Sequence, residues 1–307
     1  MKKELSVVVF SYNHQNYIEK CLDSIFMQKT DFDFEVILAD DCSTDDTLNV
    51  VRNTFGDKVR ILNRTHNLGL CRNMYDACMQ AEGKYIYCCA GDDYLLTDYV
   101  FQKHIDYLQE NTDCFSVFND YKFINIELGI EHIFQCPYEK YTFLDFLQGV
   151  RAFFYIGTIR NSFKEDNPEY LCKAGRNNEE IQMLYYTLTK GYKAFIPEAM
   201  YAYCFRLDAQ NYNSQNDYLN ILEDYAKGFR AVEAVDHGKH RFDVAKVWYF
   251  ERYIDKIIES GNIHSILAIF RVLTLREILS WMWIKLLMKF NHRKIPKFLI
   301  KKNKFVR

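Results

Sequence analysis

The residues with the most chemical potential in this sequence are acidic pairs placed where strand-like runs stop. Tyr85-Ile86-Tyr87-Cys88-Cys89 is rich in β-formers and breaks at Ala90-Gly91 into Asp92-Asp93. Gly91 permits a sharp turn, and adjacent carboxylate oxygens make a hard-oxygen site suited to Mg²⁺ or Mn²⁺ rather than to zinc. An ion held there would in turn hold a diphosphate. The same two side chains would serve equally to cap a helix beginning near Thr97. A second acidic pair, Asp40-Asp41, closes the run Phe34 to Ala39, and polar Ser11-Tyr12-Asn13-His14 closes Leu5 to Phe10. Glu179-Glu180 stands near the start of a helical pattern, and Arg206 ends the strand-like stretch Met200 to Phe205.

The elements that must position these groups follow from periodicity. Leu5 to Phe10, Phe34 to Ala39, Val59 to Leu62 and Tyr85 to Cys89 are short apolar runs, the pattern of strands buried on both faces. Between them, Ile18, Cys21, Leu22, Ile25 and Phe26 recur at helical spacing, Ser43 to Asp46 supply caps for a second helix, and Leu70 to Ala81 reads as a third. Strand and helix alternating in this way imply right-handed crossovers and an α/β fold with an open, mostly parallel sheet. Ligands of such sheets sit outside the carboxyl ends of the strands, where these polar groups fall. Further on, Asp98 to Glu110 reads as a helix, Phe115 to Phe118 as a strand, Tyr121 to Phe134 as a β excursion around Gly129, and residues 141–148 as a short helix. Phe153 to Ile159 reads as a strand near the site. A helix opened by Asn177-Asn178-Glu179-Glu180 ends at Gly191, and Tyr192 to Ile196 and Met200 to Phe205 read as two strands separated by Pro197. Everything after Gln215 reads as helical, with breaks near His237-Gly238 and Gly261-Asn262.

Composition narrows the class. The chain has 307 residues, 49% of them apolar, enough for one large domain with an appended helical part. Its ten cysteines form no Cys-x-x-Cys pair, and no signal-like amino terminus is visible, the usage of a reduced, cytoplasmic protein. None of the twelve glycines belongs to a Gly-x-Gly-x-x-Gly or Walker-type loop, so a Rossmann dehydrogenase and a P-loop enzyme are disfavoured. Net charge is −2, but residues 271–307 carry eleven Lys/Arg against Glu277 alone.

With these pieces in order, residues 5 to about 206 resemble the family 2 glycosyltransferases of the GT-A fold, which are typically inverting and use a nucleotide sugar. The matching pieces are Ser6 to Asn13, Asp40 to Thr47, Asn67-Leu68-Gly69 with Arg72-Asn73, Gly91-Asp92-Asp93, and Glu179-Glu180 followed by Arg206. The resemblance implies that Ser11, Tyr12 and Asn13 line the nucleotide pocket, with Tyr12 against a uracil face. It implies that Asp41 accepts from the base, that Arg72 helps hold the nucleotide, and that Asp92 contacts the ribose or supports the metal. Asp93 is then the ligand of Mn²⁺ or Mg²⁺, Glu180 the general base with Glu179 next in line, and Arg206 a stabiliser of the departing UDP. The loop Asp208 to Asn216 is expected to close over it. Ala90 replaces the first carboxylate of the Asp-x-Asp-Asp pattern, and Phe10-Ser11 stands where Pro-Thr is more usual.

The expected organisation is a catalytic domain over 1–212 and a helical extension over 213–307. Residues 271–293, placed on one helix, gather Arg271, Thr274, Lys285, Lys289 and Arg293 along one arc, with Trp281, Met282 and Trp283 outside it. Together with the basic tail this is the profile of a helix lying in an anionic membrane interface, at the inner face of the cell membrane, although no run is long enough to span a bilayer. The expected activity is metal-dependent transfer of a sugar from a nucleotide donor, UDP first among them, to a saccharide or lipid-diphosphate-linked acceptor in cell-surface polysaccharide synthesis. Nucleic acid is not an expected partner. Two competitors remain: a nucleotidyltransferase, which lacks its usual Gly-rich, Lys-containing loop here, and a silent sugar-nucleotide binder, which would not need Glu179-Glu180.

Overall fold

Strand β1 (Leu5–Ser11) is central because both of its faces are covered. Val7 and Val9 enter one apolar layer, while Val8 and Phe10 enter the other. The computed structural model describes residues 3–150, 157–173, 179–206, 218–238 and 241–290. After β1 come α1 (Ile18–Phe26), β2 (Phe34–Asp40), α2 (Thr47–Phe55), β3 (Val59–Asn63), α3 (Leu70–Gln80) and β4 (Tyr85–Ala90). The middle of the chain holds β5 (Tyr94–Leu95), α4 (Val100–Glu110), β6 (Cys114–Asn125), β7 (Ile130–Phe134), β8 (Lys140–Tyr141) and α5 (Phe143–Leu147). Then follow β9 (Gly157–Arg160), α6 (Phe163–Asp166), α7 (Glu180–Leu188), β10 (Tyr192–Phe205), α8 (Tyr218–Val235), α9 (Asp243–Glu259), α10 (Ile263–Val272) and α11 (Leu275–Phe290).

The strands form one sheet in the order β3-β2-β1-β4-β9-β6-β10-β5, with β7 on β6 and β8 on β10. The first four are mutually parallel, as the sequence implies. Strand β9 then runs antiparallel to both β4 and β6. Register levels the carboxyl ends of the parallel four: Ser11 faces Asp40, Asp40 faces Asn63, and Phe10 faces Ala90. Every polar strand-end motif therefore lands on one edge.

Helices α1, α2 and α4 cover one face of the sheet and α3 the other, giving the three-layer arrangement expected of crossover connections. In α1, the buried positions are Ile18, Cys21, Leu22, Ser24 and Ile25, one apolar stripe. Helices α8 and α9 contribute Ile221, Leu222, Phe229, Tyr249 and Phe250 to the same core as the first layer.

Three expectations need correction. Strand β10 is continuous through Pro197, with register shifts between Ile196 and Ala199 and between Ala199 and Tyr201. Bulges of this kind accommodate a residue that lacks an N–H. Neither Asp92 nor Asp93 caps α4, whose first two N–H groups, on Val100 and Phe101, donate to Gln28 Oε1, two residues past the end of α1. The helix expected over 271–293 is broken: α10 ends at Val272 and α11 starts at Leu275. Thr274 and Glu277 form a reciprocal cap at that break, Thr274 N donating to Glu277 Oε2 at 2.8 Å and Glu277 N to Thr274 Oγ1 at 3.2 Å. Lys285 turns to α9, where it pairs with Asp255 at 3.1 Å and Glu251 at 3.3 Å, so it does not belong to a free basic face. Residues 291–307, the strand expected over 153–156, Asn177-Asn178, the loop 208–216 and the boundary at 212 lie outside the described residues.

Candidate active site

The edge is assembled first from backbone. Asp41 N donates to Ser11 O at 2.8 Å, and Gly91 N donates to Phe10 O at 2.7 Å, tying the ends of β2 and β4 to β1. A Cβ at Gly91 would lie 2.8 Å from His14 Nδ1, 2.9 Å from Ile18 Cδ1 and 3.1 Å from Phe10 O, so a larger residue would force His14 and Ile18 to move. The loops after β1 and β2 interlock. Asn13 N donates to Ser43 Oγ at 2.9 Å, His14 N to Thr47 Oγ1 at 2.8 Å, and Thr44 N to Asn13 Oδ1 at 2.8 Å.

Each acidic group on this edge has a distinct role. Asp40 is buried and accepts from Ser43 N and Ser43 Oγ; burial lifts its carboxyl above the ordinary range, against those two bonds. Asp41 holds the turn before α3, accepting from Leu68 N at 2.7 Å and Gly69 N at 2.9 Å. Gly69 takes φ +82 there, a conformation that favours glycine. Asp93 faces inward: Tyr201 OH donates to Oδ2 at 2.5 Å and Cys204 N to Oδ1 at 2.7 Å. Burial, then the neighbouring Asp92 charge, pushes the Asp93 carboxyl well up, with Tyr201, Cys204 and Arg206 opposing. Asp92 faces the edge, where its Oδ2 accepts from Arg206 Nη2 at 2.9 Å and Nε at 3.2 Å, while His14 Nε2 lies 3.7 Å away.

Arg206 is itself buried, and its guanidinium lies 4.4 Å from the centre of the Tyr17 ring, a cation–π contact. Burial pushes His14 below its ordinary value, with Arg206 acting the same way and Asp92 against. Three buried polar atoms at this edge have no hydrogen-bond partner: Ser11 Oγ, His14 Nδ1 and Arg64 Nη2. Buried polar groups are rarely left so, and a ligand is one way to satisfy them.

Tested against a divalent cation, this turn offers one carboxylate oxygen free of hydrogen bonds among the described residues, Asp92 Oδ1. No group of three His, Cys, Asp or Glu side chains that could hold a metal is gathered among those residues. A single carboxylate fits an ion of the Mg²⁺ kind, which keeps waters and takes further ligands from phosphates. It does not fit a preformed all-protein cage.

The second acidic pair divides across the start of α7. Glu180 is turned to the carboxyl-terminal helices, where Tyr225 OH donates to its Oε2 at 2.6 Å and Tyr249 OH to its Oε1 at 3.1 Å. Burial raises the Glu179 carboxyl to about 7, with a hydrogen bond from its own backbone N–H opposing and a smaller push from Glu180. Its charge reaches the Cys88 thiol on β4, two residues short of the Ala90-Gly91 turn. Arg72, expected at the nucleotide, lies on the exposed side of α3 with Nε 2.9 Å from Asp76 and Nη1 3.8 Å from Cys172 Sγ. Tyr12 is partly buried at the end of β1.

His14, Tyr17 and Arg64 were not among the expected site residues. Arg64 directly follows β3, and His14 closes the polar run after β1; these are the only local signals they carry. A cleft of about 540 Å³ bounded by Tyr170, Lys173, Lys227, Arg230 and Ala231 lies elsewhere, beside α8, and its lining includes none of the strand-end carboxylates. Its cations are paired with Glu169, Glu223 and Glu277.

Residues 6–170 match the profile of the family described as glycosyl transferase family 2. An uncharacterized protein of Mycobacterium tuberculosis is 37% identical over 117 residues, which are 36% of this chain and 34% of that one. The poly(ribitol-phosphate) beta-N-acetylglucosaminyltransferase TarS of Staphylococcus aureus is 40% identical over 98 residues, 30% of this chain and 17% of TarS. The chain thus spans about a third or less of these relatives' lengths. In three dimensions, TarS 1–349 in complex with UDP-GlcNAc superposes with a TM-score of 0.61 at 20% identity, covering 96% of this chain and 82% of that one. The mannosyltransferase PcManGT of Pyrobaculum calidifontis, in complex with GDP-Man and Mn²⁺, gives 0.54 at 14% identity, covering 98% and 86%. At these identities the superpositions show a shared GT-A fold.

Proposed function

The chain is a member of glycosyl transferase family 2, and from that membership we propose a sharper reading: a metal-assisted, inverting enzyme that moves a sugar from a nucleotide donor, UDP first, to a saccharide or lipid-linked saccharide. The observation that carries it is the Asp92–Arg206 pair at the levelled strand ends, flanked by unpartnered Ser11 Oγ and His14 Nδ1. The ligands of the two superposed enzymes, UDP-GlcNAc and GDP-Man with Mn²⁺, support a nucleotide sugar at this edge. The names of the relatives, TarS and a Campylobacter jejuni glucosyltransferase acting on an undecaprenol-linked glycan, support a cell-surface glycan as acceptor.

In this reading Arg206 is held over the Tyr17 ring and exchanges Asp92 for the donor diphosphate, so the leaving group meets a cation already in place. Asp92 Oδ1 is the protein oxygen available to a divalent ion, whose chemistry when bound is neutralisation of the diphosphate. Asp93, expected as the direct ligand, instead anchors the turn to β10 through Tyr201 and Cys204. Ser11, Tyr12 and Asn13 form the floor of the nucleotide pocket, and Asp41 accepts from the base with its remaining lone pairs. Glu179 is the general base that takes the acceptor proton. Its value near 7 matches that task, whereas both Glu180 oxygens are engaged by tyrosines. An anionic membrane surface is the proposed working location, through α10, α11 and the basic tail.

Thermal unfolding with UDP, GDP, CDP or ADP, with and without Mn²⁺, tests the site. Native-state binding is expected to raise apparent stability by about 2.7 kcal/mol when the nucleotide is at a hundred times its Kd. Asp92→Asn is expected to lose the Mn²⁺-dependent part of the shift and Arg206→Ala most of the whole. If no nucleotide shifts the wild type, the donor reading fails.

A further inference from the structure

The motif residues expected at the base and at the nucleotide, Asp41 and Arg72, do not meet at one place: Asp41 holds the turn into α3, while Arg72 pairs with Asp76 on the exposed side of that helix. A different arginine stands at the edge. Asn63, the last residue of β3, is level with Asp40, and Arg64 is the next residue on. Arg64 Nε donates to Asn73 Oδ1 at 3.1 Å. Asn73 is fully buried and in turn donates from Nδ2 to Ala39 O at 2.7 Å and from its backbone N to Gly69 O at 3.0 Å. The guanidinium is thus clamped to the first turn of α3 by one nitrogen. Another, Nη2, is buried with no acceptor. A buried donor on a charged group is costly to leave unpaired, and a partial clamp that presents such a donor is a preformed hydrogen-bonding site.

Asp41 grips the same turn from the β2 side, through Leu68 N and Gly69 N. Each of its oxygens accepts one backbone bond and retains a second lone pair. The start of α3 therefore carries an anchored acceptor, held by the turn just before the helix, and an anchored donor, held by its first turn. A ligand edge that complements both presents a carbonyl next to an N–H. Uracil does so with its N3–H between two carbonyls, and guanine with O6 beside N1–H. Cytosine at N3 and adenine at N1 would turn a lone pair toward the carboxylate instead.

We propose that Arg64 reads the base of the donor nucleotide, its Nη2 donating to the carbonyl beside the imide N–H that Asp41 accepts, so that Arg64 and Asp41 together select a keto-imide base. This rests on the nucleotide-donor reading above and adds to it a residue outside the family motifs.

The test is a calorimetric Kd for UDP, GDP, CDP and ADP, each with Mn²⁺, in the full-length wild type, Arg64→Met and Arg64→Lys. Wild type is expected to bind UDP or GDP at least tenfold more tightly than CDP and ADP, and the UDP and GDP arms tell the two keto-imide bases apart. In Arg64→Met the preferred nucleotide is expected to weaken about ten- to hundredfold, the usual worth of a hydrogen bond from a charged donor, and the ratio to CDP to collapse. Arg64→Lys, which keeps the charge but not the fork, is expected to lose the same ratio. A variant that weakens all four nucleotides equally shows a structural role only and overturns the inference, as does wild-type binding without base preference. Should both variants fail to fold, 2-thio- and 4-thio-UDP on the wild type decide: one weakened about tenfold supports the assignment, and both binding like UDP overturns it. No binding of any nucleotide to the wild type overturns the donor reading and this inference with it.

Discussion

Glu179 and Glu180 show how two neighbouring carboxyls acquire different chemistry from position alone. One residue along a helix start is a rotation of about 100°, and it sends Glu180 to two buried tyrosine hydroxyls while Glu179 stays desolvated beside β4. Glu179→Gln is expected to lower kcat by roughly 10²- to 10⁴-fold with little change in melting temperature. Glu180→Ala should behave the other way in stability, because Tyr225 and Tyr249 lose their acceptor; about 2–3 kcal/mol and several degrees of Tm are expected. The base proposed here works ionised, and burial raises Glu179 to about 7, so kcat/KM is expected to climb between pH 6 and 8, and that limb should vanish in Glu179→Gln. The linkage has the opposite sign: from the unfolded value of 4.5 up to about 7 the native state holds the extra proton, so stability falls as pH rises through that window and levels off above it. A urea titration of wild type and Glu179→Gln across pH 4.5–7.5 separates this contribution.

At the level of elements, β10 is the part that makes the turn at Asp92-Asp93 a fixed object. Tyr201 and Ala202 pair with Leu95 and Tyr94 on β5, Tyr201 OH and Cys204 N hold Asp93, and the next residue beyond the strand is Arg206. Tyr201→Phe leaves a buried carboxylate with one partner fewer, so a loss of about 1–3 kcal/mol is expected, with weaker UDP binding as the Asp92–Arg206 pair loosens. An unchanged Tm and Kd would remove the anchoring role. The parallel quartet was legible because strands buried on both faces must be apolar at consecutive positions, as Leu5 to Phe10 and Phe34 to Ala39 are. Pro197 misled for the reason prolines usually inform: it lacks an N–H, but two register shifts in β10 absorb that loss. The break before α11 did have a signal, Thr274-Leu275-Arg276-Glu277, the capping-box spacing, overlooked because no glycine or proline marks it. His14 and Arg64 were beyond reach, since a donor is unpartnered only with respect to a folded environment. The inward turn of Asp93 and Glu180 depends likewise on tyrosines more than forty residues away.

Over the whole molecule, the described helix ends leave an apolar face uncovered. Ile263, Leu267 and Phe270 on α10 and Leu275, Leu279, Met282, Trp283 and Leu286 on α11 are each 46–71% exposed, and seven Lys/Arg follow in residues 291–307. Exposed apolar side chains on consecutive helices next to basic sequence suit the proposed anionic lipid interface, and no helix among the described residues is long and apolar enough to cross a bilayer. Flotation with vesicles containing phosphatidylglycerol is expected to carry the wild type, and Leu279→Glu/Trp283→Glu to stay at the bottom with normal Tm; equal flotation would sink the membrane reading. The sheet itself has one further consequence. Its fifth strand, β9, pairs Gly157 with Cys88, about seventy residues earlier in the chain, so β4 has β1 on one side and nothing on the other until residue 160 exists. At about 5–20 residues per second of synthesis, the nascent chain carries an unpaired, apolar strand edge for on the order of 4–14 s. Translation speed therefore sets how long that edge is offered to other nascent chains before β9 closes it.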